Sequence, residues 1–274
     1  MAMPTKQEWT KRAEQKVKRT QLFINGKFVD AASGKTFDSI NPRDGKLITE
    51  VAEGDAEDVN RAVAAAKASF EAGVWREMAP LDRKKLILRW VELIHAHAEE
   101  LALLETMNCG KPISDSLNVD VASCANNMQW YAECIDKLYG EIAPIPRDSV
   151  ALIEREPMGV VGAVVPWNYP LIITSWKVGA ALAAGNSVVL KPAEQSPLSA
   201  LLFAELATQA GLPDGVLNVV PGFGPTAGGA LGRHMDVNKL AFTGSTEVGK
   251  YFLKYAAESN AKAVSLELGG KTPH

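Results

Sequence analysis

Four short segments rich in polar and glycine residues each follow an apolar, β-branched run in the second half of this 274-residue chain. They are residues 166–170, 191–194, 243–246 and 267–271. In parallel α/β sheets the residues just beyond the carboxyl ends of the strands face the ligand, so we expect the four segments to meet at one edge. The side chains they bring there can bind phosphate, accept hydrogen bonds from sugar hydroxyls and act as a general base.

The segment 243–246 suits a phosphate group. Gly244 has no Cβ, and Ser245 or Thr246 can cap the helix that follows, whose free N–H groups and dipole favour an anion. A pyrophosphate therefore fits here, although the same residues would also serve as an ordinary helix cap. The run GxxxxGK that begins at Gly244 imitates a P-loop, but the next residue is Tyr251, which lacks the small hydroxyl that binds magnesium. Phosphoryl transfer is therefore not favoured, and no metal site is predicted.

Lys191 and Glu194 leave the second of these strands together. A carboxylate at that end can accept hydrogen bonds from both hydroxyls of an adenosine ribose. It also repels a 2′-phosphate, which favours NAD over NADP, while Lys191 leaves NADP open. The alternative for this pair is a surface salt bridge.

Asn168 and Glu267 lie at the ends of two further strands. From its neighbours alone, Asn168 is a helix N-cap before Pro170. Glu267 precedes two glycines that let a ligand approach the backbone. A carboxylate partly desolvated there would have a raised pKa and could act as a general base, and the alternative is a strand-end carboxylate in water.

The elements that must position these residues come in two blocks. From Asp55 to Lys137 the pattern is helical, with Asp55 as an N-cap, Gly73 as a stop, Pro80 opening a second helix and a third helix over 117–138. Between 140 and 157 two apolar segments, 141–145 and 150–153, flank a turn-like tetrad and predict a two-stranded ribbon. Such a ribbon leaves an unpaired edge, so we expect it to dock on another subunit, the alternative being its own domain.

After residue 157, short β-branched runs alternate with helical segments. This alternation predicts a parallel sheet covered on both faces. Gly185 and Gly211 are placed as helix C-caps, and Ser196 is placed as an N-cap before Pro197. The five predicted strands are residues 160–165, 187–190, 216–220, 239–242 and 263–267.

Composition excludes several classes of protein. The formal net charge is −3, so the positive field that nucleic-acid binding usually needs is absent and no nucleic-acid partner is expected. Three cysteines, an odd number, argue for a reducing compartment, and without a leader pattern we expect the cytoplasm. The uncharged stretch 158–176 is broken by Pro166 and Pro170, so we predict a strand, a turn and a helix start there, and no membrane span.

The motifs VPWNYPL, KPAEQSP, FTGSTEVG and LELGGK together resemble the aldehyde dehydrogenase superfamily. The resemblance runs from Leu22 onward and includes FINGKF. It implies an α/β fold, with a five-stranded parallel Rossmann-like coenzyme-binding domain, helices before it and a protruding β-ribbon arm. The implied division is a helical part of the coenzyme-binding domain over 1–139, an oligomerisation arm over 140–157, the NAD-binding α/β domain over 158–270, and the start of a catalytic domain over 271–274.

The resemblance also implies roles for individual residues. The amide of Asn168 would be the oxyanion donor, Glu267 would activate the water that hydrolyses a thioester, and Lys177 would be associated with the catalytic base. Trp167 would pack against the coenzyme. The implied coenzyme-binding residues are Val165, Pro166, Trp167, Asn168, Lys191, Ala193, Glu194, Gly224, Phe242, Thr243, Gly244, Ser245, Val248, Glu267, Leu268 and Gly269.

The family's route needs a cysteine thiolate, which the resemblance places in the domain that follows ELGGK. We interpret all three cysteines, Cys109, Cys124 and Cys134, as buried or half-buried small residues, and none matches the catalytic position. We therefore expect this chain to be a truncated aldehyde dehydrogenase that binds NAD without oxidising aldehydes. The alternative from another class is a non-catalytic NAD-binding or structural protein.

The implied whole enzyme oxidises a small aldehyde to the acid with NAD(P)+, through a cysteine thiohemiacetal and a thioester. It looks most like bacterial enzymes for aminoaldehydes from polyamine breakdown, such as the γ-glutamylaminobutyraldehyde type. The other substrates are betaine aldehyde and aliphatic aldehydes. The resemblance also implies a homo-oligomer, either a dimer or a tetramer.

Overall fold

A seven-stranded sheet forms the centre of the computed structural model, which describes residues 4–271. Two separate two-stranded ribbons complete the strands of that part of the chain. The strands are β1 Leu22–Ile24, β2 Lys27–Val29, β3 Thr36–Ile40, β4 Leu47–Ala52, β5 Glu141–Ala143, β6 Ala151–Ile153, β7 Val160–Val164, β8 Ser187–Lys191, β9 Leu217–Val219, β10 Lys239–Gly244 and β11 Ala263–Leu268.

The five predicted parallel strands are present, in the order β11-β10-β7-β8-β9. Two further strands extend this five-stranded parallel sheet, because β1 pairs antiparallel with β9 and carries β2 beyond it. Asn25 and Gly26 have φ values of 52° and 74° and form the tight turn between β1 and β2. An Asn-Gly pair between apolar residues is a strong hairpin signal, and it lies inside FINGKF.

The helices begin and end close to the predicted residues. An Asp55 oxygen accepts a hydrogen bond from the Glu57 amide at 2.9 Å, Gly73 has a φ of 73° after α2, and Pro80 opens α3. The helices are α1 Lys6–Ala13, α2 Ala56–Glu71, α3 Pro80–Ala96, α4 Ala98–Cys109, α5 Ile113–Asp115, α6 Ala122–Cys134, α7 Pro170–Ala183, α8 Leu198–Ala210, α9 Gly229–Arg233 and α10 Thr246–Ala257, with π-helical turns at Ser116–Val121 and Gly224–Gly228 and a 3-10 turn at Ile135–Lys137.

One predicted cap is wrong. The residue before α8 is Pro197, and the Ser196 hydroxyl has no hydrogen-bond partner among the described residues. The first amide of α8, on Leu198, instead donates to the Asn108 side-chain oxygen at 3.0 Å. A residue of α4 therefore caps a helix 90 positions later in the chain.

Helices cover both faces of β7, β8 and β9 but only one face of β10 and β11, so the predicted cover on both faces does not extend to these last two strands. On one face α3, α4, α6, α7 and α8 form a core that holds Trp90 and Phe203, whose ring centroids are 4.3 Å apart. On the other face α2, α9 and α10 pack against alternate residues of the same strands. This arrangement fixes the central strands on both sides, so the residues at their ends are held on a rigid frame.

The predicted ribbon is formed by β5 and β6, which pair only with each other. Its apolar side chains face outward: Ile142 and Leu152 are 75% and 64% exposed. The alternative that the ribbon packs on its own domain is therefore wrong for the described residues, and docking on another subunit stays a prediction. None of the helices between residues 4 and 271 has the length and apolar character needed to cross a bilayer.

Candidate functional site

The four polar segments lie at one edge of the sheet. Lys191 pairs in register with Val164, Val164 with Phe242, and Phe242 with Leu266, so these residues form one row across β8, β7, β10 and β11. The strands are parallel, and each polar segment begins at or just after this row. Because neighbouring strands are about 4.8 Å apart, the row spans roughly 15 Å. In such sheets the ligand crevice lies where the strand order reverses, here between β7 and β10.

Asn168 lies in the loop from β7 to α7 and is exposed. The residue at the N-cap of α7 is Tyr169, and no side chain of the loop caps that helix, so the N-cap interpretation of Asn168 is wrong. Among residues 4–271, the Asn168 amide has no hydrogen-bond partner. It is therefore free to donate to a ligand at the switch point between β7 and β10.

Ser245 is the N-cap of α10, and its hydroxyl accepts a hydrogen bond from the Val248 amide at 3.2 Å. This confirms the helix cap, and the cap leaves the first backbone amides of the twelve-residue helix facing the strand ends. Gly244 is required just before it, because an added Cβ would lie 2.5 Å from the Phe242 ring. Capping and anion binding are compatible here, since the serine hydroxyl can still donate its own hydrogen.

Lys191 is the last residue of β8, and its ammonium donates to the Glu194 carboxylate at 3.2 Å. The Lys191 side chain is 4% exposed and that of Glu194 is 29% exposed, so the pair is partly buried and is not the surface salt bridge of the alternative interpretation. Burial lowers the Lys191 pKa, and the Glu194 charge opposes that effect. Beside them, a Cβ added at Gly228 would lie 4.0 Å from Lys191 Cδ, which places the turn Gly224–Gly228 against this pair.

Lys177 and Glu267 line one cavity of about 680 Å³. It lies between α7 and the uncovered face of β10 and β11, and it also contacts Thr243. Burial lowers the Lys177 pKa to about 8, and the Glu267 charge acts in the opposite direction. The Glu267 side chain itself is exposed, so the expected partial desolvation of this carboxylate is absent among the described residues.

The remaining predicted coenzyme residues divide by exposure. The Trp167 side chain is 58% exposed. A Cβ added at Gly224 or Gly269 would meet nothing within 4 Å, so both glycines border open space. Those that are buried or half-buried are Val165, Pro166, Ala193, Phe242 and Thr243, and Val248 and Leu268 are exposed at 40% and 38%.

Sequence reasoning missed the aromatic and amide residues that share the cavity with Lys177. Asn127, Trp130 and Tyr131 of α6 line it together with Trp176. The Asn127 amide donates to the Ser175 hydroxyl at 3.1 Å, which ties α6 to α7. No local pattern indicates this contact, because α6 and α7 meet only through tertiary packing.

The three cysteines are not placed as nucleophiles. The Cys109 thiol donates to the Trp167 carbonyl at 3.2 Å, and burial raises its pKa. Cys124 is fully buried, which raises its pKa too, and Cys134 is half-buried at the end of α6. A thiolate nucleophile needs a lowered pKa, so neither Cys109 nor Cys124 has that environment. Between residues 4 and 271 no group of three or more His, Cys, Asp or Glu residues could hold a metal ion.

Comparison with known proteins supplies independent information. The sequence profile of the aldehyde dehydrogenase family matches residues 28–274. The chain is 54% identical to benzaldehyde dehydrogenase of Antirrhinum majus, over 94% of this chain and 48% of that protein. It is also 54% identical to aminoacetaldehyde dehydrogenase of Pseudomonas aeruginosa, over 92% of this chain and 51% of that protein.

Solved structures are similar over nearly the whole chain. The indole-3-acetaldehyde dehydrogenase AldA of P. syringae, in complex with NAD+, has a TM-score of 0.97 and 52% identity, covering 99% of this chain and 55% of that one. The γ-glutamyl-γ-aminobutyraldehyde dehydrogenase of Burkholderia cenocepacia has a TM-score of 0.94 and 51% identity, covering 96% and 53%. The chain spans about half the length of the curated relatives it matches.

Proposed function

The chain belongs to the aldehyde dehydrogenase family, and from this premise we propose that it binds NAD along the edge formed by β8, β7, β10 and β11. We further propose that the whole protein oxidises an aldehyde, with an aminoaldehyde as the preferred substrate, to the carboxylic acid. The single observation that carries the proposal is the in-register row from Lys191 to Leu266, which brings four separate polar segments to one edge.

The residues at this edge fit a dinucleotide. The first amides of α10 and the Ser245 hydroxyl can hold the pyrophosphate, and the Glu194 carboxylate can accept from the ribose hydroxyls. Gly224 and Gly269 leave open space for close approach. NAD, when bound, supplies the hydride acceptor that aldehyde oxidation requires.

The aldehyde side of the site uses Asn168, Glu267 and Lys177. The free Asn168 amide donates a hydrogen bond to the oxygen on which negative charge develops. The exposed Glu267 carboxylate accepts a proton from water, and Lys177 holds its own proton less firmly than an ordinary lysine because of burial. None of the three cysteines matches the catalytic position that the family resemblance implies, so we expect residues 1–274 alone to bind NAD without forming NADH.

NAD rather than NADP is the proposed coenzyme. The Glu194 carboxylate repels a 2′-phosphate, and the Lys191 charge that would attract one is already paired with it. The relative in complex with NAD+ supports this choice. NADP is the alternative coenzyme, since the Lys191 ammonium is next to the same site.

The substrate class and the assembly rest on other observations. Two similar proteins are named for amino-substituted aldehydes, aminoacetaldehyde and γ-glutamyl-γ-aminobutyraldehyde, which supports an aminoaldehyde. A role in polyamine breakdown is part of the same proposal. The exposed apolar ribbon of β5 and β6 supports a homo-oligomer, a dimer or a tetramer. A cytoplasmic location is part of the same proposal.

Titration calorimetry with NAD, beside an assay of NADH formation from an aminoaldehyde by the whole protein, tests the function. We expect NAD binding, and we expect Asn168→Ala to lower turnover about 10²–10³-fold while leaving NAD affinity within about twofold. Asn126→Ala, which changes an exposed amide on α6, is the matched control. Absence of NAD binding would overturn the proposal, and binding without turnover in the whole protein would favour a non-catalytic coenzyme-binding protein.

A further inference from the structure

Two residues in the C-terminal half of α4 and one just after it contact the loop that carries Asn168 and the start of α7. The Glu105 carboxylate accepts a hydrogen bond from the Leu171 amide at 3.0 Å. The Cys109 thiol donates to the Trp167 carbonyl at 3.2 Å, and the Lys111 ammonium lies 3.9 Å from the centre of the Tyr169 ring. These contacts bracket Asn168 on both sides in the sequence. We call Glu105, Cys109 and Lys111 the α4 clamp.

Glu105 is an unusual residue for this position. Its side chain is fully buried, and one of its two carboxylate oxygens has no partner among the described residues. A buried carboxyl group with one unpartnered oxygen costs free energy, so packing alone would favour an apolar side chain here. One carboxylate oxygen accepts from the amide of Leu171, the second residue of α7, which has no acceptor inside the helix, and the Ser199 hydroxyl also lowers the Glu105 pKa.

The loop itself has few other restraints. It leaves the sheet where the Val165 amide donates to the Lys191 carbonyl, and it enters α7 at Pro170. No side chain within the loop caps α7. Besides the backbone hydrogen bond from the Ile173 amide to the Tyr169 carbonyl, the polar contacts of the loop in the described part of the chain come from the α4 clamp.

The clamp is itself held in place. The Lys111 ammonium donates to the Asp120 carboxylate at 2.8 Å, and Asp120 is 99% buried at the end of the turn Ser116–Val121. The buried carboxylate restricts the rotamers of Lys111 and so keeps its ammonium over the Tyr169 ring. The clamp thus links the loop to a rigid part of the helical layer.

We propose that the α4 clamp, with the Glu105 carboxylate at its centre, positions the side-chain amide of Asn168 for the aldehyde oxidation proposed above. The inference rests on that proposed function for the purpose of the positioning, while the positioning itself is measurable without turnover. Glu105, Cys109 and Lys111 are not among the residues assigned above to the coenzyme or the aldehyde, so they are positioning residues.

Hydrogen exchange at the backbone amides of Trp167, Asn168, Tyr169 and Leu171 tests the positioning in the purified whole protein. We expect Glu105→Ala to speed exchange there roughly tenfold, because the Leu171 amide loses its acceptor. Glu105→Gln keeps an acceptor oxygen at the same place and is expected to stay within about threefold of the wild type. Glu99→Ala, which removes an ion pair with Arg12 at the other end of the same helix, is the control and should leave the loop unchanged.

Turnover supplies the second readout. Glu105→Ala should lower kcat about tenfold with the KM for NAD unchanged, and Glu105→Gln should restore most of it. A folded Glu105→Ala protein with wild-type exchange at the same four amides would overturn the inference. If no form of the protein turns over aldehyde, the proposed function fails, and the exchange result still decides the positioning. If Glu105→Ala does not fold, Cys109→Ala combined with Lys111→Met carries the same test, with faster exchange expected and unchanged exchange overturning it.

Discussion

The Lys191 ammonium lies 3.2 Å from the Glu194 carboxylate, at the end of a strand buried on both faces. Because Lys191 extends from the rigid strand, it holds the carboxylate in one orientation while 29% of the Glu194 side chain stays exposed. A hydrogen-bond acceptor fixed in this way has less rotamer entropy to lose when a ligand binds. We therefore expect coenzyme affinity to depend more strongly on Glu194 than on the other residues of this edge.

Glu194→Gln should weaken NAD binding by about tenfold, because an amide is a poorer acceptor than a carboxylate for two ribose hydroxyls. The same change removes the charge that repels a 2′-phosphate, so the ratio of NADP to NAD affinity should rise. Calorimetric titrations with both coenzymes measure this, with Glu133→Gln on the exposed face of α6 as the control. An unchanged affinity ratio would show that Glu194 does not face the ribose.

Gly244→Ala should lower both stability and NAD affinity. The new Cβ would lie 2.5 Å from the Phe242 ring, which is 96% buried and packs against Phe252 at 4.8 Å. We expect a loss of about 1–3 kcal/mol in the free energy of unfolding, as for other overpacked sites. Gly224→Ala adds a methyl group that meets nothing within 4 Å, so denaturant unfolding should show no comparable loss. Equal losses in the two variants would contradict the steric argument.

Lys177 should react with amine reagents at lower pH than an ordinary lysine. Burial lowers its pKa to about 8, so half of the side chains are neutral and nucleophilic at that pH. The Glu267 charge favours the protonated form, so Glu267→Gln should move the midpoint to lower pH. Peptide mass spectrometry of pulse-labelled protein gives the midpoint, with the peptides of exposed lysines as internal references. The same midpoint in both proteins would mean that the two groups do not interact.

Glu105 should make stability fall as pH rises. Burial raises its pKa from the ordinary 4.5 to about 7, and the hydrogen bonds from the Ser199 hydroxyl and the Leu171 amide act in the opposite direction. The folded protein then binds a proton that the unfolded chain has released, so this stabilisation is full below the unfolded pKa and is lost as pH rises through about 7.

The Glu105→Gln variant has no such proton to lose. Its free energy of unfolding relative to the wild type should therefore rise by about 1–3 kcal/mol between about pH 5 and about pH 8. Urea unfolding at the two pH values measures the difference. Glu99→Gln, on the exposed part of α4, should show none. Parallel pH profiles for the wild type and Glu105→Gln would exclude a raised pKa at this site.

The ribbon of β5 and β6 should control assembly. Ile142 and Leu152 face each other across the ribbon and are 75% and 64% exposed. Changing both to Asp should shift the protein to a smaller species in sedimentation analysis, because burial of charges in an interface is unfavourable. Changing the exposed Ser149 to Asp in the nearby turn is the control. An unaltered sedimentation coefficient would place the interface elsewhere.

Short-range sequence patterns predict individual helices, strands and turns, but they do not predict which distant strands pair. The Asp55 cap, the Pro80 start and the five parallel strands follow from residues within a few positions of each other, and the structure confirms them. The Asn-Gly turn of the first hairpin is an equally local signal, but the pairing of β1 with β9 joins residues nearly 200 positions apart.

The strands, the polar segments that follow them and hence a shared edge could be predicted from short stretches of residues, because strand periodicity and the direction of parallel strands are local properties. Which groups meet at that edge depends on the packing of distant segments. Asn108 rather than Ser196 caps α8, Glu105 rather than Asn168 serves the first turn of α7, and Glu267 is exposed rather than desolvated. Each of these depends on helices packing against distant segments, and the free energy of such contacts is set by burial and geometry that no short stretch of residues contains.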